Sequence, residues 1–77
     1  MTANPLKAAI RFNAIFTDRD GKTTEWDFHA ASTADAGTKA CDEAKLHNDR
    51  GSLPDIGKVF KIELWDFQAE EWFRWYL

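Results

Sequence analysis

The chain has a single cysteine, two prolines and four glycines in 77 residues, and each shortage excludes something. Cys41 alone cannot close an internal disulfide, so the expected setting is the reducing cytoplasm. So few prolines and glycines leave no linker or low-complexity stretch, and the length allows one domain spanning 1–77. No apolar run approaches the roughly 18 residues of a transmembrane helix, so no membrane partner is expected. The opening Met1-Thr2-Ala3-Asn4-Pro5 lacks the basic and apolar regions of a secretory signal. Positive charge is also short: the net charge is −3. A protein living on nucleic-acid phosphates would be basic, so nucleic acid is not the expected partner.

What the chain has in quantity is aromatic rings: six Phe, four Trp and one Tyr. A domain of this size buries only about 60% of the surface its unfolded chain exposes, and large rings compensate for that thin core. Hydrophobic residues at 44% against 30% charged mark a globular chain rather than a disordered one.

Residues 7–17 alternate with a period of two. Ala8, Ile10, Phe12, Ala14 and Phe16 take one face of a strand, and Lys7, Ala9, Arg11, Asn13, Ile15 and Thr17 the other. Asp18-Arg19-Asp20-Gly21 reads as a three-residue hairpin loop, with the glycine in the left-handed region. A second strand over 22–31 then pairs so that Phe16 meets Thr24, Ala14 meets Trp26, Phe12 meets Phe28 and Ile10 meets Ala30. Arg11 pairs with His29 and Asn13 with Asp27. Large faces small, and every inward residue finds an inward partner.

Ser32-Thr33-Ala34-Asp35 starts a helix, with Ser32 as cap and Asp35 in the position of its capping-box partner. The helix is predicted to end at His47 or Asn48. Its buried stripe, Ala36, Gly37, Ala40, Cys41 and Ala44, is small enough to demand close approach to a sheet. Pro54 and Gly57 punctuate a loop over 52–57. Strands over 58–67 and 72–77 form a second hairpin, with Phe67 facing Trp72, Trp65 facing Arg74, Leu64 facing Trp75 and Ile62 facing Leu77. One face then holds Phe60, Ile62, Leu64, Phe73, Trp75 and Leu77. The other holds Trp65, Phe67, Trp72, Arg74 and Tyr76.

The order is ββαββ. Isolated two-stranded ribbons are marginal in water, so the hairpins should share one antiparallel sheet. The expected fold is an α+β two-layer sandwich, strand order 2-1-3-4, with the helix on one face. Pairing of strands two and four is the alternative.

Catalytic and metal chemistry find no foothold. Cys41 and His47 stand six apart, about 120° around a helix, and no paired-cysteine or His-x-x-x-His spacing exists. Both His29 and His47 read as surface residues, and Cys41 as an inert thiol on the core side of the helix. Ser32 is explained as a cap, the glycines are scattered, and Asp-x-Asp-Gly is too short for a calcium loop. Glu25, Asp27 and Glu63 on an open sheet face are solvated carboxylates rather than an acid–base pair. No enzyme activity, cofactor or metal is expected.

The open face of the second hairpin stands out. Trp65, Phe67, Trp72 and Tyr76 with Arg74 and Arg11 have the composition of binding hot spots, rimmed by Glu25, Asp27, Lys61 and Glu63. The competing reading covers this face with Leu53 and Ile56 of the loop, or with Pro5 and Leu6. Trp65 opposite Arg74 would stack the guanidinium on the ring.

The strand–Asp-x-Asp-Gly–strand opening, the Ala-Ala-Ser-Thr-Ala-Asp-Ala helix entry and the aromatic closing hairpin together resemble small proteins of phages and mobile elements. In size, acidity and two-layer build the chain resembles anti-CRISPR proteins, over nearly its whole length and as architecture rather than by a motif. That resemblance implies an inhibitor that occludes a surface of a host complex, with no active site and no residue transferable position by position. The expected partner is a protein or protein complex, and the acidic charge would favour one with a basic, nucleic-acid-binding surface. Two alternatives stay open: a single-stranded nucleic-acid binder stacking bases on the aromatic face, and a homodimer joined through it.

Overall fold

The computed structural model describes residues 10–53 and 55–77. Residues 7–9 of the expected first strand lie outside that range. Five elements follow one another: β1 (Ile10–Asp18), β2 (Thr23–Ala30), α1 (Thr33–Arg50), β3 (Val59–Asp66) and β4 (Glu71–Tyr76). The strands form one antiparallel sheet in the order β2-β1-β3-β4, and α1 lies across one face, mainly over β3. This is the expected α+β sandwich.

The first hairpin has the register that the small-against-large pairing predicts, from Ile10↔Ala30 through Phe12↔Phe28 to Phe16↔Thr24. Its turn is held by Asp18. The Asp18 amide donates to the Lys22 carbonyl, and Gly21 takes a φ of 83° that a β-branched side chain resists. The buried Asp18 carboxylate accepts from the amides of Asp20 and Lys22 through Oδ1, and from the distant amide of Gly57 through Oδ2 at 2.8 Å. One side chain thus fastens the turn to the 52–57 loop.

Ser32 caps α1 by accepting from the Asp35 amide. Asp35 returns the bond to the amide of Ala31, one residue before the cap. The helix outruns the predicted stop by two or three residues and ends at Arg50, where Gly51 turns left-handed and its amide donates to the His47 carbonyl. Asn48 brackets Val59, accepting from its amide and donating to its carbonyl.

His47 is not a surface residue: it is 5% exposed. Its Nδ1 accepts from the Leu53 amide, so the ring proton sits on Nε2, which donates to the Gly57 carbonyl at 2.7 Å. Burial is tolerated because both ring nitrogens are satisfied. Cys41, expected in the buried stripe, is only half-buried on its flank.

The second hairpin departs from the predicted register by two residues. Trp65 faces Trp72, Glu63 faces Arg74, Leu64 faces Phe73 and Ile62 faces Trp75. Asp66 sets this pairing. Its Oδ1 accepts from the amides of Gln68 and Ala69, the Glu70 amide donates back to the Asp66 carbonyl, and Glu70 takes a φ of 55°. The loop is therefore 67–70, not 68–71. A slip of two keeps every side chain on its own face.

A bulge opposite Thr17 and Asp18 corrects one further assignment. Thr17 pairs with Lys61 and Asp18 with Val59, which leaves Phe60 as the extra residue. Val59 enters the core, and the Phe60 ring lies beside Tyr76, with centroids 6.5 Å apart. Leu77, also expected on the helix side, is exposed.

Phe12, Phe16, Ile62 and Leu64 are fully buried beneath Ala36, Ala40 and Ala44. Burying each such large side chain contributes roughly 1.5–3 kcal/mol. The alanines let the helix approach closely enough to collect that gain.

Candidate functional site

With the helix on one side, the opposite side chains of the sheet form rows across all four strands. The registers place Asp27, Asn13, Trp65 and Trp72 in one row, and Glu25, Ile15, Glu63 and Arg74 in the next. Thr23, Thr17, Lys61 and Tyr76 form a third. Aromatic weight gathers where β3 and β4 meet.

Trp65, Phe67 and Trp72 converge. The Trp65 and Trp72 centroids are 5.1 Å apart at 50°, and Phe67 stands edge-on to Trp65 at 83°. Phe67 lies just past the end of β3, where its amide donates to the Arg11 carbonyl, so it extends the surface alongside β1. Together with Arg11, Asn13, Ile15 and Glu25 these rings enclose a shallow hollow of about 450 Å³. Trp72 remains 54% exposed.

The stacked guanidinium on this face belongs to Arg11 and not to Arg74. Arg11 donates from Nε and Nη2 to the two carboxylate oxygens of Asp27, both at 3.1 Å, and its Cζ lies 4.4 Å from the Phe67 centroid. That fork holds the Asp27 carboxyl below its usual range and raises the guanidinium. Arg74 is instead drawn to Glu63 across the strands, at 3.2 Å, because the two-residue slip puts a carboxylate opposite it. Lys61 approaches the same carboxylate at 3.5 Å. Of the six residues singled out from the sequence, Trp65, Phe67, Trp72 and Arg11 meet at the hollow. Arg74 and Tyr76 share the face but lie further along β4, with Tyr76 against Phe60.

Asn13 and Ile15 belong to the hollow and were not singled out. Their signal was Ile15, a large apolar residue on the outward side of the first strand between Asn13 and Thr17. Leu53 and Ile56 pack against the core rather than over this face. Pro5 and Leu6 lie outside the described residues.

A second hollow, on the helix side, is lined by Gly37, Cys41, Lys45 and Trp75 among others. Burial pushes the Cys41 thiol up, away from the thiolate that a nucleophile or metal ligand needs. No group of three or more His, Cys, Asp or Glu residues able to hold a metal occurs among the described residues. Nor is any helix there long and apolar enough to cross a membrane.

No family model, curated protein or solved structure matches the chain.

Proposed function

We propose that the protein is a non-enzymatic protein-binding module of the cytoplasm, an inhibitor of anti-CRISPR type that works by covering a surface of its partner. The observation that carries this reading is the exposure of Trp72 beside Trp65 and Phe67 on the face that the helix leaves open. Contiguous exposed rings cost solubility in an isolated domain and mark contact surfaces. Trp, Tyr and Arg are also the residues on which binding energy concentrates. The net charge of −3 favours a basic partner.

Stacking of single-stranded nucleic acid has one observation in its favour, the same exposed rings. Against it, the cations of this face among the described residues are met by carboxylates: Arg11 by Asp27, and Lys61 and Arg74 by Glu63. Few charges remain to neutralise phosphates.

The test is affinity capture with wild type, Trp72→Ala and Arg74→Ala, each first shown to be folded, followed by identification of what is retained. The reading expects a protein captured by wild type and lost from Trp72→Ala. Equal capture by all three would remove it. A salt-sensitive gel shift with a short single-stranded oligonucleotide would move the assignment to nucleic acid.

A further inference from the structure

We propose that the hollow beside Trp65 and Trp72 receives an arginine side chain of a basic protein segment, with Glu25 as its counter-ion; this rests on the protein-binding reading. The sheet face shows how it holds a guanidinium, because it already holds one. Arg11 is clamped in two-point fashion by Asp27, and its Cζ lies over the Phe67 ring, 4.4 Å from the centroid. A carboxylate at one edge and a ring beneath are what a planar guanidinium takes best.

The same pair of features recurs one row along without its cation. Glu25 is two residues from Asp27 on the same side of β2, and it lines the hollow with Trp65 and Trp72. Every other carboxylate in these rows is engaged, Asp27 by Arg11 and Glu63 by Lys61 and Arg74. Among the described residues Glu25 has no ion pair or hydrogen bond, and its neighbour across the strands is Ile15. With Arg11 offset by Asp27, the charge left facing the hollow among the described residues is one carboxylate. An incoming cation is therefore drawn in, and an anionic ligand is not. Arginine fits better than lysine because its plane can lie on an indole while its edge meets Glu25.

The experiment uses the full chain and a blocked Gly-Arg-Gly peptide, with the isosteric, uncharged Gly-citrulline-Gly peptide as its control. The indole N–H signals of all four tryptophans are followed by NMR. The arginine peptide should shift Trp65 and Trp72 saturably, in the millimolar range for a single side chain, and leave Trp26 and Trp75 in place. The citrulline peptide and the Glu25→Gln variant should each bind about tenfold more weakly. Asp49→Asn, on the exposed helix end, should bind like wild type. Equal binding of both peptides, no shift at Trp65 and Trp72, or an unaltered Glu25→Gln overturns the proposal. So does concentration dependence of these signals without peptide, which would seat a second copy of the chain there. Loss of captured protein from Trp72→Ala but not from Glu25→Gln would sink the arginine assignment alone and leave the protein-binding reading standing.

Discussion

The indole of Trp75 lies directly over Gly37: a Cβ placed on that glycine would come 2.8 Å from Cζ2 and 3.1 Å from Cη2 of the ring. The helix has no side chain at this point, and β4 fills the space. That contact ties the last strand to the helix, although α1 rests mainly on β3.

Gly37→Ala pits two effects against each other. Alanine gains about 0.5–1 kcal/mol of helix propensity, whereas overpacking a tight contact costs about 1–3 kcal/mol. The melting temperature should fall. In a Trp75→Ala background the same substitution should raise it, because the obstacle is gone. A thermal double-mutant cycle measures this, and the same sign in both backgrounds would contradict the packing described.

The turn at Glu70 offers the opposite sign. A non-glycine residue at φ 55° is strained by roughly 1 kcal/mol. Glu70→Gly should match or exceed wild type in a melt, and Glu70→Val should be clearly less stable. If valine is as well tolerated as glycine, the 67–70 loop is wrongly placed.

Acid should loosen the fold through identifiable carboxylates. The Asp18 carboxyl is held below its ordinary range, first by the Gly57 amide and then by those of Lys22 and Asp20. Asp27, bonded by Arg11, and Asp35, bonded by the Ala31 amide, are lowered as well. A depressed folded value means stability present above the unfolded carboxylate range, about pH 4, and lost as pH falls through the folded value. Melts from about pH 6 down to about pH 2 should therefore show a steady fall. Asp18→Asn presents an amide donor to one of its amide partners, so it should start lower at neutral pH and fall less. An unchanged acid slope would mean Asp18 is not among the groups responsible.

His47 joins the helix end to the loop. His47→Phe keeps a ring but leaves the Leu53 amide and Gly57 carbonyl without their partners, at about 1–3 kcal/mol. That corresponds to roughly 4–8 °C in the melt per kcal/mol for a domain of this size. A shift below about 2 °C would contradict the bonding described.

The first hairpin was legible in the sequence because its faces differ: only one register sets Phe12 against Phe28 and Ala14 against Trp26 while keeping Arg11 and Asp27 outward. The topology followed from the need to unite two ribbons in one sheet. The second hairpin is apolar on both faces, so a slip of two changes nothing in the alternation. What decides it, the Asp66 carboxylate gathering the amides of Gln68 and Ala69, is turn chemistry hidden behind an ordinary strand end. Membership of the aromatic face survived the slip; the cross-strand partner of Arg74 did not. His47 reads as a surface residue because the partners that let it be buried are backbone groups of a loop, which carry no sequence signal.

Two tryptophans of β4 separate core from open surface, Trp75 on the helix side and Trp72 on the other. The most direct test is the thermal melt of Trp75→Ala beside that of Trp72→Ala. Trp75→Ala should lose roughly 3 kcal/mol, the low end for truncating a packed Trp because the ring is half-buried. Trp72→Ala should lose about 1 kcal/mol or less, the worth of one exposed aromatic pair with Trp65. If Trp72→Ala instead destabilises as much as Trp75→Ala, the open face is a second core and not a surface kept for a partner.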